Sequence, residues 1–364
     1  MMRARMWVVL IGLLMLGLPI VAQDDLPTWD DLEAGAWTMI EPGGETVCAL
    51  GTPYAYFVRP AKQPSDQLLI YFQGGGACWL GQICDPDDSP TYDQSVDAGD
   101  SPDHYDGIFN FDNEENPFLS YNVVFIPYCT GDVFLGDNVA TYSSRVNDEV
   151  TIYHKGYVNA MTVLDWTFAN APQPSTVFIT GSSAGAIPSP FYTQFVAKAY
   201  PDARIEQFGD AAGGYRNQVL ASVVFSAWKT ESILTDDFAD IRLGALNFEM
   251  LYRVVGPQYP DITFSQYNTA HDETQLGFLS LGMNIQIDLL PFIDQNMADI
   301  AADVDNFASF TQGGDLHTIL PREEFYTYAV DGVRIVDWVR QLAQGEDVPT
   351  LRCTECDLPE KIAE

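Results

Sequence analysis

The sequence predicts an α/β fold in which a mostly parallel central sheet is covered by helices on both faces. Short runs rich in β-branched and aromatic residues alternate with segments whose apolar residues recur at helical spacing, a pattern typical of parallel sheets with crossover helices. One run, 176–180, leads through Gly181-Ser182-Ser183-Ala184-Gly185 into a helical pattern. We find no linker rich in Pro, Gly or Ser and no internal repeat, so we expect one domain over 23–364.

The elements follow from the local pattern along the chain. Runs such as Gln-Leu-Leu-Ile-Tyr-Phe are short and dominated by strand-forming residues, whereas the helical segments carry apolar residues three or four positions apart. We expect strands over 67–72, 122–127, 175–180, 204–208, 262–268 and 307–312, and helices over 156–169, 187–199, 243–254 and 333–342. In such sheets, ligands bind at the carboxyl ends of the strands.

Two segments interrupt the alternation. The segment 84–116 is dense in Asp, Glu, Asn, Ser and Pro, and we expect a solvated surface loop there because its acids lack the spacing of a calcium loop. The segment 215–256 has apolar residues at helical spacing. It is a candidate cap over the site, although core packing explains the same pattern equally well.

The first 22 residues have the pattern of a secretory signal peptide. Two arginines precede an apolar run over 6–18, and Pro19-Ile20-Val21-Ala22 follows, as in signals that are cleaved after a small residue. The run is short for a membrane-spanning helix. We expect an extracellular or periplasmic protein without stable membrane insertion, and an uncleaved N-terminal anchor is the alternative.

The charge of the chain argues against two classes of partner. Its 51 acidic and 17 basic residues give a formal net charge of −34, which disfavours binding to nucleic acid or to anionic membrane surfaces. A polyanionic polysaccharide would also be repelled unless salt or bound cations screened the charge.

Six cysteines in an exported chain indicate disulfides rather than free thiols or a zinc site. Fifteen pairings are possible. Spacing favours two local pairs and leaves a third, so we propose Cys78 with Cys84, Cys353 with Cys356, and Cys48 with Cys129. The histidines have no ligand spacing with the cysteines, and we expect no metal site.

The Gly-x-Ser-x-Gly motif has the setting of a nucleophile elbow. A strand precedes Ser183 and a helix follows it, the context in which such a turn exposes its central serine for attack on a carbonyl carbon. A serine needs a base to accept its proton and an acid to orient that base. The amide of Ala184, directly after the serine, would donate one hydrogen bond to the oxyanion.

The base can be found by elimination among four histidines. His317 follows the last predicted strand, in the Ser, acid, His order of α/β-hydrolases, whereas the other three have less suitable positions: His104, His154 and His271. Asp272 follows the strand 262–268 and is the favoured acid, although taken singly it could equally be the N-cap of a helix that begins with Glu273. Asp210 is the competitor, and Asp315 is too close in sequence to face the ring of His317.

A glycine-rich loop would supply the other oxyanion donors. The strand 67–72 runs into Gly74-Gly75-Gly76-Ala77, where the backbone can approach a substrate without side-chain interference. A phosphate-binding loop is the rival interpretation, but no Lys-Ser or Lys-Thr follows and the dinucleotide spacing is absent.

Several motifs between residues 45 and 345 occur in a specific combination. They are Tyr71 to Trp79, Asn116-Pro117-Phe118 running on to Pro127 through Val133, Gly156-Tyr157 with Asn159-Ala160, Gly181 to Gly185, Gln266-Tyr267-Asn268 leading to Asp272, and Asp315-Leu316-His317-Thr318. Together they resemble the pectin acetylesterase and Notum family. One position departs from animal Notum proteins, which have a tryptophan where this chain has Gly76, so the resemblance does not imply removal of a long fatty acyl group.

The resemblance implies a secreted carboxylesterase of the α/β-hydrolase type that needs no cofactor. By position, Ser183 is the implied nucleophile, Asp272 the acid and His317 the base, with the amides of Gly75, Gly76 and Ala184 as oxyanion donors. We expect hydrolysis of acetyl or other short acyl esters on a small molecule or a carbohydrate. The alternatives are a general or lipid-type carboxylesterase for longer chains and a noncatalytic extracellular binding module. The sequence does not give the oligomeric state.

Overall fold

Fourteen strands and eight helices lie within the part of the chain that the structure describes. The computed structural model describes residues 26–362 apart from residue 172 and residues 282–286, so the predicted signal peptide, 1–22, lies outside the described residues. The strands are β1 (Thr38–Ile40), β2 (Tyr56–Arg59), β3 (Gln67–Phe72), β4 (Asn122–Ile126), β5 (Asn138–Tyr142), β6 (Val150–His154), β7 (Thr176–Ser182), β8 (Arg204–Asp210), β9 (Thr263–Thr269), β10 (Phe307–Gln312), β11 (Tyr328–Val330), β12 (Val333–Arg334), β13 (Leu351–Arg352) and β14 (Glu360–Lys361). The helices are α1 (Gly81–Cys84), α2 (Gly156–Asn170), α3 (Ser189–Ala199), α4 (Gln218–Trp228), α5 (Glu249–Val255), α6 (Glu273–Ser280), α7 (Leu290–Asp303) and α8 (Ile335–Ala343).

Nine of these strands form one sheet in the order β1-β2-β4-β3-β7-β8-β9-β10-β13. Strand β2 is antiparallel to both of its neighbours, β1 and β4, and the pairs from β4 through β13 are parallel. The carboxyl ends of β7, β9 and β10 therefore meet at one edge. This is the α/β-hydrolase-like sheet that the sequence predicts.

The sheet is buried on both faces. Alternate residues of β3 belong to two separate apolar clusters, Ile70 and Phe72 to one and Leu69 and Tyr71 to the other. Helices α2 and α3 supply apolar side chains to the first cluster, and α8 packs Trp338 into the second. Because both faces are covered, β3 and β4 are almost continuously apolar in sequence.

The structure corrects the predicted helices 243–254 and 333–342. The first is a 3₁₀ turn at Leu243–Ala245 followed by α5. The second begins with β12, which pairs with β11 through a turn at Asp331 and Gly332, both with positive φ. Asp-Gly is a typical hairpin turn sequence, and this hairpin removes two residues from the predicted helix.

All six cysteines are paired as the spacing predicts. Disulfides join Cys48 to Cys129, Cys78 to Cys84, and Cys353 to Cys356. Within the described ranges, no helix combines the length and the apolar character that are needed to cross a lipid bilayer.

Candidate active site

Ser183 lies in a sharp turn between β7 and α3. Its φ is 54°, in the left-handed region that side chains other than glycine rarely adopt. A Cβ atom at Gly185 would lie 2.1 Å from the carbonyl oxygen of Phe72, so this position requires glycine. The turn therefore has the close packing and backbone strain of a nucleophile elbow, and it places the serine at the carboxyl edge of the sheet.

Three side chains form a continuous chain of hydrogen bonds at this edge. The Oγ atom of Ser183 is 2.8 Å from Nε2 of His317, and Nδ1 of His317 is 2.7 Å from Oδ2 of Asp272. A carboxylate can only accept a hydrogen bond, so Nδ1 of His317 carries the ring proton and donates it to Asp272, and Nε2 accepts from the serine hydroxyl. This tautomer is assigned from the hydrogen-bond partners. A hydroxyl, an imidazole and a carboxylate in this order have the geometry that a serine nucleophile, its base and an orienting acid require.

Asp272 also caps a helix. Its Oδ1 accepts hydrogen bonds from the backbone amides of Thr274 and Gln275 at the start of α6, and its Oδ2 accepts from Nε2 of Gln275. The side chain is fully buried. Four donors thus hold one carboxylate in place, and the orientation of His317 is fixed by the start of a helix.

The two other candidate acids do not contact the ring of His317. Asp315 is exposed on the loop before it. Asp210 is fully buried and accepts hydrogen bonds from Ser182, Ile319 and Leu320. Burial raises the pKa of Asp210 to about 6, and these hydrogen bonds act in the opposite direction.

The residues of the predicted oxyanion donors line the same cavity or groove as Ser183. A Cβ atom at Gly76, where φ is +80°, would lie 1.9 Å from the carbonyl oxygen of Thr91, so the loop requires glycine at that position. Across residues 26–362, excluding the undescribed positions, the amides of Gly75, Gly76 and Ala184 donate no hydrogen bond to another protein group. They are available to an anionic oxygen beside the serine.

The remaining histidines lie in other environments. His154 is buried between the hydroxyl of Tyr142 and the carbonyl oxygen of Thr130, and burial lowers its pKa to about 4. Among the described residues, His154 also belongs to the one group with metal-ligand spacing. Its partners there are Cys78 and Cys84, which form a disulfide and so offer no thiolate.

Two spaces of different character meet at Ser183. One is an apolar cavity beneath α4, in which the centre of a water-sized group can occupy about 30 Å³. Its walls include Trp79, Ile187, Tyr215, Leu220, Val224, Trp228, Phe248 and Phe278. The other is an open groove of about 440 Å³ on the same measure, bordered by Gln73, Thr91, Tyr105, Thr274, His317, Thr318 and Arg322.

Sequence reasoning missed several of these positions. The helical spacing of 215–256 indicated a segment near the site, but it did not identify Leu220, Val224 and Trp228 as cavity walls. Phe278 lies between the cavity and the groove and borders both, and no motif marks it. Residues of this kind are brought together by tertiary contacts between distant parts of the chain.

The known proteins that this chain resembles are all named as esterases or as inactive relatives of esterases. The family model described as Pectinacetylesterase matches residues 36–223, a stretch that contains Gly75, Gly76, Ser183 and Ala184 and ends before Asp272 and His317. Pectin acetylesterase 4 of Arabidopsis thaliana is 25% identical over 174 residues, covering 46% of this chain and 40% of that protein.

Two further relatives are Notum proteins. Palmitoleoyl-protein carboxylesterase NOTUM of Schmidtea mediterranea is 30% identical over 145 residues, which is 38% of this chain and 26% of that protein. A protein of Danio rerio named inactive palmitoleoyl-protein carboxylesterase notum1b is 30% identical over 96 residues, which is 26% of this chain and 68% of that protein. The chain thus spans well under half the length of the first two relatives. Because the family model covers more than half of its residues, the chain belongs to the pectinacetylesterase family.

Proposed function

We propose that the protein is a serine carboxylesterase that hydrolyses short acyl esters of a carbohydrate or another polar alcohol. The observation that carries this proposal is the chain of hydrogen bonds from Ser183 through His317 to Asp272, with the serine held in a strained turn. A protein that only binds ligands has no need of these three groups in this order.

The reaction proceeds in two stages. Nε2 of His317 takes the proton of Ser183 while Oγ attacks the ester carbonyl carbon, and the amides of Gly75, Gly76 and Ala184 donate to the resulting oxyanion. The imidazolium, stabilised by Asp272, returns the proton to the departing alkoxide and leaves an acyl-enzyme. Water then gives a proton to His317 and attacks the acyl carbon. The bond between this carbon and Oγ breaks, Oγ regains the proton from His317, and the acid is released.

The small volume and apolar walls of the cavity beneath α4 favour a substrate with a short acyl group. The space open to the centre of a water-sized group is small, about 30 Å³, which suits an acyl chain of a few carbon atoms better than a long one. The walls are almost wholly apolar. A methyl group there loses no hydrogen bonds with water and gains burial.

The groove supports a larger and more polar alcohol. It is open, and it presents the side chains of Gln73, Thr91 and Arg322 beside His317. Hydrogen-bonding groups around an aromatic ring such as Tyr105 suit a hydroxyl-rich ligand. An acyl ester of a carbohydrate would therefore place its acyl group in the cavity and its sugar in the groove.

A carboxylesterase for longer acyl chains is the second candidate. Leu220 and Val224 of α4 are among the residues that line the cavity, and rotation of these side chains would enlarge it without changing Ser183. The relatives named palmitoleoyl-protein carboxylesterases favour this candidate. A noncatalytic module is the third, and the existence of a relative named as inactive is the observation behind it.

We also propose export and a single catalytic domain over 23–364. The predicted signal peptide and the three disulfides support export, because disulfides persist in oxidising compartments. Within the domain, 215–256 is a cap over the acyl cavity, supported by the position of α4 in the cavity wall.

Nitrophenyl esters of acyl length two to twelve provide the test, with wild type and Ser183→Ala assayed side by side. We expect turnover that depends on Ser183 and declines beyond short acyl chains. Equal rates for the two proteins would reject the catalytic proposal. A maximum at long chains would favour the second candidate, and an inactive wild type that still binds acetylated sugars would favour the third.

A further inference from the structure

One buried carboxylate touches both strained turns of the site. Asp210 ends β8, next to β7, and is fully buried. Its Oδ2 accepts a hydrogen bond of 2.6 Å from Oγ of Ser182, the residue before the nucleophile. The amides of Ile319 and Leu320, which follow shortly after His317, donate to the same carboxylate at 3.0 Å.

The residues between these anchor points have unfavourable backbone conformations. Ser183 has a φ of 54° and Thr318 has a φ of 65°, and neither is glycine. Such conformations persist only where the surrounding contacts determine them strongly. Asp210 holds the residue that precedes the first strained position and the two residues that follow the second.

We propose that Asp210 is a positioning residue that couples the nucleophile turn to the histidine loop and so maintains the contact between Ser183 and His317. This inference rests on the proposed function. Asp210 acts through its neighbours, since its own hydrogen bonds go to Ser182, Ile319 and Leu320. Its partners lie 28 to 110 residues away in sequence, so one carboxylate joins two distant segments.

A second anchor acts on the nucleophile side. The hydroxyl of Tyr71 donates to Oγ of Ser182 at 2.8 Å, which leaves the Ser182 hydroxyl proton for Asp210. The order of donors is therefore fixed from Tyr71 through Ser182 to the carboxylate. Only an acceptor at position 210 completes it, because the amides of Ile319 and Leu320 on the other side are also donors.

This arrangement predicts different effects for two substitutions. Oδ2 accepts from three donors, whereas Oδ1 accepts only from Ile319. An asparagine with its oxygen at the Oδ2 position can still accept hydrogen bonds from Ser182, Ile319 and Leu320. Its NH₂ group then lies at the Oδ1 position and faces the backbone amide of Ile319, which is also a donor. Alanine removes the acceptor altogether and leaves buried donors unsatisfied.

The test measures kcat and KM per active site for Asp210→Asn, Asp210→Ala and Ser182→Ala, with active sites counted by a phosphonate that reacts with serine. We expect kcat to fall roughly tenfold for Asp210→Asn and roughly 100-fold for Asp210→Ala, with little change in KM, because small errors in the placement of reacting groups cost rate of this order. Asp315→Asn is the matched control for loss of a carboxylate charge near His317.

Two outcomes would overturn the inference. In the first, Asp210→Ala has the kcat of wild type per titrated site and only its melting temperature is lower, as expected if Asp210 has a purely structural role. If Asp210→Ala does not fold, the same conclusion follows from wild-type kcat in both Asp210→Asn and Ser182→Ala. Failure of the proposed function gives a different result, namely equal activity of wild type and Ser183→Ala.

Discussion

Replacement of Asp272 by asparagine should leave the fold intact and remove most of the activity. An aspartate accepts at both oxygens, here from two backbone amides at Oδ1 and from His317 and Gln275 at Oδ2. Asparagine has one oxygen. If that oxygen stays on the helix amides, its NH₂ group faces Nδ1 of His317 and becomes the donor, while Nε2 of Gln275 alone loses its acceptor. The imidazole must then carry its proton on Nε2, where it cannot accept the proton of Ser183.

The opposite orientation of the asparagine is less favourable. Its NH₂ group would face the two amides at the start of α6, and three buried donors would meet without an acceptor. The tautomer change is therefore the expected consequence, and a change of this kind in a serine triad costs about 10⁴ in kcat. That factor corresponds to about 5.5 kcal/mol of activation free energy.

Stability should change much less than activity. Asparagine is about as good a helix N-cap as aspartate, so α6 retains its first hydrogen bonds. The measurements are kcat on nitrophenyl acetate and the midpoint of thermal unfolding. Asp315→Asn, which removes an exposed charge two residues from His317, should behave like wild type in both. A folded Asp272→Asn protein that keeps more than a tenth of wild-type kcat would show that Asp272 is not the orienting acid.

Three further outcomes follow from the cavity, a buried carboxylate and the surface charge. Leu220→Ala should raise the kcat/KM for hexanoyl esters relative to that for acetyl esters by about tenfold or more, since each methylene in an apolar pocket is worth about 1–3 kcal/mol. The control, Val219→Ala on the exposed side of α4, should leave this ratio unchanged. Burial raises the pKa of Asp132 to about 7, so this carboxyl group stabilises the folded protein at low pH and loses that contribution as pH rises through 7. In urea unfolding, the stability of wild type relative to Asp132→Asn should therefore fall by about 2–3 kcal/mol between pH 5 and pH 8. Parallel pH profiles of the two proteins would contradict this assignment. Residues 63–144 contain no lysine or arginine and supply Thr91 and Tyr105 to the groove, so acetate release at low salt should be faster from neutral acetylated polysaccharides than from acetylated polyuronates. Added salt should reduce the difference between the two rates. A faster rate on polyuronates at low salt would refute this account.

The parallel core of the fold could be predicted because its strands are marked locally. All six predicted strands are present, and β3 and β10 have the predicted bounds. The missed strands depend on pairing rather than on composition. For example, β13 has two residues and is defined by its register with β10, and β1 is a three-residue edge strand paired with β2. Short edge strands carry too few residues for a periodic signal.

The candidate site was predictable where function requires a local motif or a fixed chain order. Ser183 has its glycine-flanked turn, and His317 is the one histidine after the last predicted strand. For Asp272, two interpretations competed at the sequence level, a helix N-cap and an orienting acid. The structure gives this carboxylate both sets of contacts, one on each oxygen, so evidence for a cap did not count against contact with the histidine.

Asp210 illustrates what the sequence could not provide. It follows a predicted strand and lies between the serine and the histidine in the chain, as Asp272 does, and chain order alone could not separate the two. The difference lies in what each carboxylate faces. Asp272 reaches the ring of His317, whereas Asp210 reaches amides 109 and 110 residues away and the serine beside the nucleophile. A substitution at either position is expected to lower kcat, but for different reasons. Loss of Asp272 changes which nitrogen of His317 carries the proton, and loss of Asp210 changes where the ring lies.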